Sequence, residues 1–370
     1  MGRTSLALVL TATLSVATAY GMLLLLPLQI KHLGGSEATF GVLTALAAVP
    51  AAAFLGTLLS FPDRVRPPVL LAVASLAYGG AAAALATVDR LGGLLAVLTI
   101  VSGATWSVVY TVGPMVVSER VPDDARAAHI GYLTGTIQLG FGIGPVLGGW
   151  LHGRGLSYPG TFAVAAALAA TAAGLLVFVR SPGRPAGRVS LVPALANIVR
   201  SPARTPLVMI LIMACLFTTM TSFQATFAQS RGLSFDVFYV SYTAAVIVAR
   251  LVVAPFLRDG VLVVATAGIA VALAGFLVVA TSPFRYAAAS AVLGGAYGLA
   301  LPAIQARAVN VAPPADRPRM LPLAGLLFQL VILAFPLVAG AVITAFGYQA
   351  VFGVLVALAA ALLALSRNER

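Results

Sequence analysis

The longest uncharged stretch of the chain, residues 320–366, reads MLPLAGLLFQLVILAFPLVAGAVITAFGYQAVFGVLVALAAALLALS. A helix that crosses a bilayer needs roughly 20 predominantly apolar residues, and this stretch is about twice that long. The triplet Phe346-Gly347-Tyr348 lies near its middle and divides it into two parts. Strands of a membrane barrel do not fit, since they are only about ten residues long and alternate in polarity. The stretch therefore predicts two consecutive membrane-spanning helices.

The rest of the chain has the same character. Of its 370 residues, 61% are hydrophobic and 9% are charged, whereas an ordinary soluble domain has about 25% charged residues. Segment 237–257 is apolar apart from Arg250. Nine further uncharged runs have at least 21 residues each, at 4–30, 38–62, 67–88, 91–118, 127–153, 155–179, 205–230, 260–284 and 286–306. The sequence predicts an all-α membrane protein with twelve transmembrane helices, numbered here as spans 1–12 in chain order.

The composition also excludes several classes of protein. A chain with so few charges cannot form the polar surface of a cytosolic enzyme, and it is too apolar for a disordered protein. The net charge of +12 does not indicate nucleic-acid binding, because the basic residues lie singly between apolar runs. Cys215 is the single cysteine, so neither a disulfide framework nor a cysteine-built metal site is expected. No catalytic motif is present, and we expect neither an enzyme nor a cofactor.

The distribution of basic residues predicts the orientation in the membrane. With the N-terminus in the cytoplasm, sixteen of the 22 basic residues fall on cytoplasmic segments and five on the opposite side. Cytoplasmic loops are enriched in Lys and Arg, so this orientation is favoured. Both termini are therefore predicted to be cytoplasmic. The expected location of this multi-pass protein is the plasma membrane, specifically a bacterial inner membrane.

The two halves of the chain resemble each other. A shift of 191 residues superimposes several residues of span 5 and its preceding loop on span 11, and a shift of 198 does the same for span 2 and span 8. The matched pairs include Gln138 with Gln329, Pro145 with Pro336, Gly149 with Gly340, Ser36 with Ser234 and Phe40 with Phe238. We therefore predict two six-helix pseudo-repeats, with an N-terminal half at 1–180, a cytoplasmic linker at 181–204 and a C-terminal half at 205–370.

Span 5 contains the motif Gly140-x-x-x-Gly144-Pro145-x-x-Gly148-Gly149, and residues 27–36 read PLQIKHLGGS before span 2. The first is similar to the antiporter motif of the major facilitator superfamily, and the second resembles its first outer loop. The resemblance extends over essentially the whole chain. It implies a secondary transporter that moves a solute by alternating access of two six-helix halves.

The cytoplasmic loop signature of that family is altered in this sequence. The family pattern is Gly-x-Leu-x-Asp-Arg-x-Gly-Arg, but Ser60 and Phe61 stand at its acidic and first basic positions. Arg250 lies 13 residues into span 8, where it either reaches the inner interface, caps a neighbouring helix or binds a substrate anion. The residues assigned to this motif are Gly56, Asp63, Arg64, Arg250, Arg258 and Asp259.

Polar and aromatic residues are predicted at mid-membrane, counting 1.5 Å per residue from the ends of the spans. In the family, spans 1, 4, 7 and 10 line the cavity, with spans 2, 5, 8 and 11 beside them. The candidate cavity residues are Thr18, Tyr20, Thr105, Trp106, Tyr110, Gln138, Thr218, Thr219, Tyr242, Tyr297 and Gln329. As a group they predict a neutral, aromatic-lined cavity for an uncharged or amphipathic organic solute. For any single residue, helix–helix hydrogen bonding or packing is an equal explanation.

Export is the favoured direction, because the span 5 motif resembles that of exporters. Uptake or facilitated diffusion is the alternative, because no Asp or Glu lies inside a predicted span and proton coupling has little support. The expected partners are a small-molecule solute and the lipid bilayer, without nucleic acid, and the expected state is a monomer. Met209, Met213 and Met220 share one face of span 7, so Cu(I) import is a further alternative, although such methionines also serve core packing.

The glycines of the span 5 motif lead to a prediction about gating. Small residues at this spacing let a partner helix approach closely in a membrane. In the family, span 5 packs on span 8 of the other half. A Gly144→Leu substitution is therefore expected to bias the protein toward an outward-open state with folding retained, unless the glycines provide only static packing.

Overall fold

The structure is a computed structural model that describes residues 3–60, 66–118, 123–179, 200–253, 261–279, 282–313 and 317–368. Within these ranges all regular elements are helices. Ten of them, counting paired helices of one span together, are long and apolar enough to cross a membrane, and Val261–Phe276 is a shorter apolar helix. The predicted all-helical membrane fold is confirmed. The number of twelve spans stays a prediction.

The helices follow the predicted spans in order. We number them α1 (Arg3–Leu23), α2 (Leu26–His32), α3 (Glu37–Leu46), α4 (Ala48–Ser60), α5 (Pro67–Leu85), α6 (Gly93–Ser118), α7 (Asp123–Gly153), α8 (Tyr158–Val177), α9 (Arg204–Ser222), α10 (Gln224–Ser230), α11 (Phe235–Val248), α12 (Val261–Val279), α13 (Pro283–Val311) and α14 (Arg317–Asn368). A π-helix, Ala249–Val253, continues α11. Gly347 has φ 79° and interrupts α14 at the predicted division between spans 11 and 12.

The chain divides into two compact units. The first contains Met1–Gly35 and Leu43–Leu191, and the second contains Ser36–Val42 and Val192–Arg370. The seven-residue segment Ser36–Val42 lies in the N-terminal half of the sequence but belongs to the unit of the C-terminal helices. The predicted limits of the halves and of the linker stay a prediction, and most of the linker lies outside the described residues.

The two units use equivalent helix pairings. In the first unit α1 packs against α7 and α8, and α5 packs against α6 and α8. In the second unit α9 packs against α14, α12 packs against α13 and α14, and α11 packs against α13. Spans 1 and 3 therefore pack on helices equivalent to those that spans 7 and 9 pack on, with α14 containing the counterparts of spans 5 and 6.

A repeated turn supports the internal duplication. The seven-residue helices α2 and α10 lie 198 residues apart, after a break in span 1 at Leu24–Leu25 and in span 7 at Phe223. Each is followed by a glycine in the left-handed region, Gly34 with φ 88° and Gly232 with φ 65°. That backbone conformation favours glycine because it has no Cβ. The same offset thus reproduces both a helix break and its terminating turn.

Candidate functional site

Aromatic side chains of the first unit meet at the middle of spans 1, 4 and 5. The Tyr20 and Trp106 rings stack with centroids 4.1 Å apart and planes 20° apart. Phe141 lies 5.2 Å from Tyr20 and 5.3 Å from Trp106, measured between ring centroids. Tyr78 and Tyr110 complete this group, which we call the first aromatic cluster. The structure thus brings together the predicted Tyr20, Trp106 and Tyr110, and adds Tyr78 and Phe141, which the sequence analysis missed.

The polar candidates of the first unit have more local roles. Thr105 donates its hydroxyl to the Val101 carbonyl of its own helix at 2.6 Å. Thr18 and Gln138 are both buried. The Thr105 hydroxyl is therefore hydrogen bonded within its own helix, α6.

The second unit contains a comparable group of rings. Phe217 stacks on Tyr297 with centroids 5.1 Å apart and planes 21° apart. Tyr242 lies 6.2 Å from Tyr297, and Phe328 lies 6.0 Å from Phe217. We call Phe217, Phe238, Tyr242, Tyr297 and Phe328 the second aromatic cluster. Of these rings, only Tyr242 and Tyr297 were predicted from the sequence as cavity residues.

The internal repeat contained a signal for the missing rings. The offset of 191 residues pairs Trp106 with Tyr297, so the stacking partner of Trp106 should have a counterpart on span 7. The offset of 198 residues leads from Tyr20 to Thr218, one residue beyond Phe217. The repeat thus relates the aromatic residues of the two halves as well as their glycines and prolines.

Thr218 and Thr219 are engaged in helix packing. Both are buried, and Thr219 donates its hydroxyl to the Cys215 carbonyl at 3.0 Å. Thr218 donates to the Ile332 carbonyl of α14 at 2.8 Å. That carbonyl lacks its usual helical donor because the residue four positions later is Pro336, which has no N–H. The Thr218 hydroxyl on span 7 thus replaces the backbone donor that Pro336 removes within span 11.

Arg250 likewise supplies a donor to a carbonyl that a proline leaves unpaired in span 10. It lies in the π-helix after α11, and its Nε donates to the Gly298 carbonyl of α13 at 3.4 Å. Pro302, four residues after Gly298, cannot supply the helical donor. In this structure Arg250 therefore caps a carbonyl of the neighbouring helix. Of its proposed motif partners, Asp63, Arg64, Arg258 and Asp259 lie outside the described residues, and Gly56 is half-buried on α4.

The glycines of the span 5 motif face α1. A Cβ at Gly144 would collide with the Thr18 carbonyl oxygen and the Gly21 backbone, and one at Gly148 would lie 2.7 Å from the Leu25 side chain. A Cβ at Gly140 would lie 2.7 Å from the Ala17 carbonyl carbon. Within the first unit the close partner of this glycine face is therefore α1, and packing of span 5 on span 8 stays a prediction. Pro145 is buried beside it, and Gly149 is half-buried.

The acidic side chain of Glu37 differs in burial from what the sequence suggested. Glu37, assigned to the end of span 2, is only 8% exposed and accepts a hydrogen bond from the Tyr348 hydroxyl at 2.6 Å. The Ala38 N–H next to it donates to the Thr344 hydroxyl at 3.0 Å. An acidic side chain is therefore buried inside the second unit.

The methionines named as copper candidates, Met209, Met213 and Met220, are all buried on α9. No group of three or more His, Cys, Asp or Glu side chains that could hold a metal ion occurs in the part of the chain that the structure describes. Burial of the thioethers is what core packing requires.

Comparison with known proteins gives one family. A model described as Major Facilitator Superfamily matches residues 8–283. No curated protein matches the chain in sequence.

Solved structures share the fold at low identity. The nucleoside transporter NupG is 14% identical, with a TM-score of 0.76 and coverage of 99% of both chains. The human organic anion transporter MFSD10 is 17% identical, with a TM-score of 0.68 and coverage of 98% of this chain and 99% of its own. A bacterial homologue of the human lysosomal transporter Spinster, inward-facing and occupied, is 14% identical, with a TM-score of 0.66 and coverage of 98% and 93%. At these identities the likeness shows the fold alone.

Proposed function

Because the chain belongs to the Major Facilitator Superfamily, we propose that it is a secondary transporter that exports a small, uncharged or amphipathic organic solute across a plasma membrane. The observation that carries this proposal is the stacked aromatic pair at mid-span in each unit, Tyr20–Trp106 and Phe217–Tyr297. Aromatic faces bind flat, apolar parts of a ligand, and a few polar groups beside them fix its orientation.

The position of the acidic residues argues against a cationic solute, and Arg250, a cation inside span 8, is engaged by the Gly298 carbonyl. In the described ranges, the acidic residues of the spans lie at helix starts, as Glu37 does in α3 and Asp236 does in α11. The aromatic clusters therefore have no acidic side chain among their members. An uncharged aromatic or amphipathic compound matches such rings, because it loses little hydration when it leaves water.

Export is proposed from the span 5 motif, and uptake or facilitated diffusion remains the alternative function. We also propose the cytoplasmic position of both termini and the monomeric state. Reconstitution into liposomes distinguishes the directions, because an exporter and a permease respond differently to an imposed proton gradient and to inside-out orientation. Binding to the aromatic clusters is common to both functions and is tested separately.

The two tryptophans of the protein allow a direct test. Trp106 is 2% exposed and belongs to the first aromatic cluster, whereas Trp150 is 50% exposed and lies under the Arg154 guanidinium. In a Trp150→Phe variant, a transported aromatic solute is expected to change the Trp106 emission saturably. In the Trp106→Phe control, the Trp150 emission should stay unchanged at the same concentrations. Fluorescence titration of detergent-purified protein, with solutes first selected by thermal stabilisation, measures both.

Three results would count against the proposal. A solute that is transported but leaves the Trp106 emission unchanged does not use the first aromatic cluster. Equal changes at Trp106 and Trp150 would indicate partitioning into detergent instead of binding. A broad panel of neutral and amphipathic solutes that gives neither stabilisation nor transport would contradict the proposed substrate class.

A further inference from the structure

Gln329 on α14 is a buried carboxamide without hydrogen bonds from its side chain. It is 1% exposed, and neither Oε1 nor Nε2 has a hydrogen-bond partner among the described residues. Such groups are rare in native proteins, because an amide removed from water loses hydrogen bonds that nothing replaces. A buried polar group of this kind calls for an explanation, of which a bound ligand is one.

A second buried glutamine in the same unit has a hydrogen-bond partner for its side chain. Gln224 is also 1% exposed, but its Nε2 donates to the Tyr286 hydroxyl at 2.8 Å. The helix packing of this unit can therefore supply a partner to a buried carboxamide. At Gln329 it does not.

The Gln329 side chain lies on the inner side of α14. With about 100° between successive residues of a helix, the exposed residues Ala334, Val338 and Ala341 lie roughly 120–180° around the helix from it, and the exposed Leu337 lies roughly 80° from it. Gly325, one turn before Gln329, lies on the same side as Gln329. A Cβ at Gly325 would meet no atom within 4 Å. Open space therefore exists one turn from the amide, on the side opposite these exposed residues.

Aromatic rings lie at the same level of the unit. Phe328 precedes Gln329 and lies 6.0 Å from Phe217, which stacks on Tyr297. The Thr218–Ile332 hydrogen bond holds α9 against α14 at this level. An unpartnered amide, open space and an aromatic wall thus occur together in the second unit.

We propose that Gln329 is the polar binding residue of the second unit, and that its ligand is a flat, neutral compound with an N–H donor beside a carbonyl acceptor, as in a cyclic amide. The Gln329 amide presents an acceptor and a donor side by side. The N–H and the carbonyl of such a ligand therefore pair with both, through two hydrogen bonds. A carboxylate only accepts and an ammonium only donates, and either would leave one Gln329 atom unpaired. The inference rests on the proposed transport function and narrows its substrate class.

Two leucine substitutions test whether Gln329 serves binding or folding. Gln329→Leu removes an unpartnered polar group, so the apparent Tm of the ligand-free protein is expected to stay the same or to rise. Gln224→Leu leaves the Tyr286 hydroxyl without its partner, so the Tm is expected to fall by about 2–4 °C. If Gln329→Leu lowers the Tm as much as Gln224→Leu, Gln329 has a structural partner and the inference is wrong.

A matched pair of probes tests the chemistry of the ligand. 2-Quinolone has the required N–H and carbonyl edge, and N-methyl-2-quinolone keeps the ring and carbonyl without the donor. Equilibrium dialysis is expected to show at least about 10-fold tighter binding of 2-quinolone to the wild type. The Gln329→Leu variant should bind both compounds with the same affinity.

The results separate this inference from the proposed function. Equal affinity of the wild type for the two quinolones, binding of neither, or unchanged discrimination in Gln329→Leu would overturn the role of Gln329. In those cases a saturable Trp106 response to another transported solute would leave the transport function intact. Failure of both experiments would remove both proposals.

Discussion

Substitution of Gly144 by alanine is expected to destabilise the first unit by about 1–3 kcal/mol, a typical cost of overpacking a close contact. A Cβ at this position would collide with the backbone of α1 at Thr18 and Gly21. Backbone cannot rotate away as a side chain can, so α1 and α7 must separate to accommodate the methyl group. Gly144→Leu should have a larger effect and reduce the yield of folded protein. Thermal unfolding followed by size-exclusion chromatography measures the change.

Gly135 provides the matched control on the same helix. A Cβ there would meet no atom within 4 Å. Alanine has a higher helix propensity than glycine, by up to about 1 kcal/mol, so Gly135→Ala is expected to be neutral or stabilising. Gly21→Ala, on the other side of the contact, should reproduce the loss seen with Gly144→Ala. Normal stability of Gly144→Ala would show that α1 and α7 do not approach as closely as described.

From the sequence alone, Gly144→Leu was expected to retain folding, whereas the contact with α1 predicts a loss of stability. Glycine spacing correctly indicates that a helix approaches span 5 closely, but it does not identify that helix. The partner is revealed by Gly21, a single glycine in span 1 that belongs to no motif. Because a small-residue face fits any helix with a small residue opposite, the identity of the partner depends on tertiary packing. A role of Gly144 in gating stays a prediction from the sequence.

Other parts of the fold follow from the sequence for physical reasons. A bilayer requires each span to satisfy its own backbone hydrogen bonds, so long apolar runs had to be helices, and the break at Gly347 lies where it was predicted. The burial of Glu37 could not be predicted, because its partner Tyr348 lies more than 300 residues away in the chain. The same holds for Phe217 and Phe328, whose rings meet only after α9 and α14 pack.

The prolines of spans 10 and 11 illustrate this limit most clearly. The sequence alone identifies the carbonyl that each proline leaves without a donor, at Gly298 and Ile332. It does not identify the side chain that replaces the donor. The structure supplies Arg250 in one case and Thr218 in the other. Side chains from neighbouring helices are a general means of satisfying such carbonyls in membranes.

The Arg250 hydrogen bond leads to the second large expected effect. Arg250→Leu should destabilise the second unit by about 1–3 kcal/mol, because it leaves the Gly298 carbonyl buried without a donor. Pro302→Ala restores the backbone N–H that this carbonyl lacks. In the Pro302→Ala background, the cost of Arg250→Leu is therefore expected to be smaller by about 1 kcal/mol. A double-mutant cycle of unfolding free energies measures this coupling.

The second proline offers a parallel cycle that makes the interpretation unambiguous. Thr218→Val removes the donor to Ile332, and Pro336→Ala restores the backbone donor, so the pair should show coupling of the same sign. Crossed pairs, such as Arg250→Leu with Pro336→Ala, should be additive because they share no carbonyl. If Arg250 instead binds a substrate anion, Arg250→Leu would abolish binding of anionic solutes, and Pro302→Ala would rescue neither stability nor binding. If Pro302→Ala restores the stability lost in Arg250→Leu and Pro336→Ala does not, Arg250 stabilises the proline-containing helix of span 10.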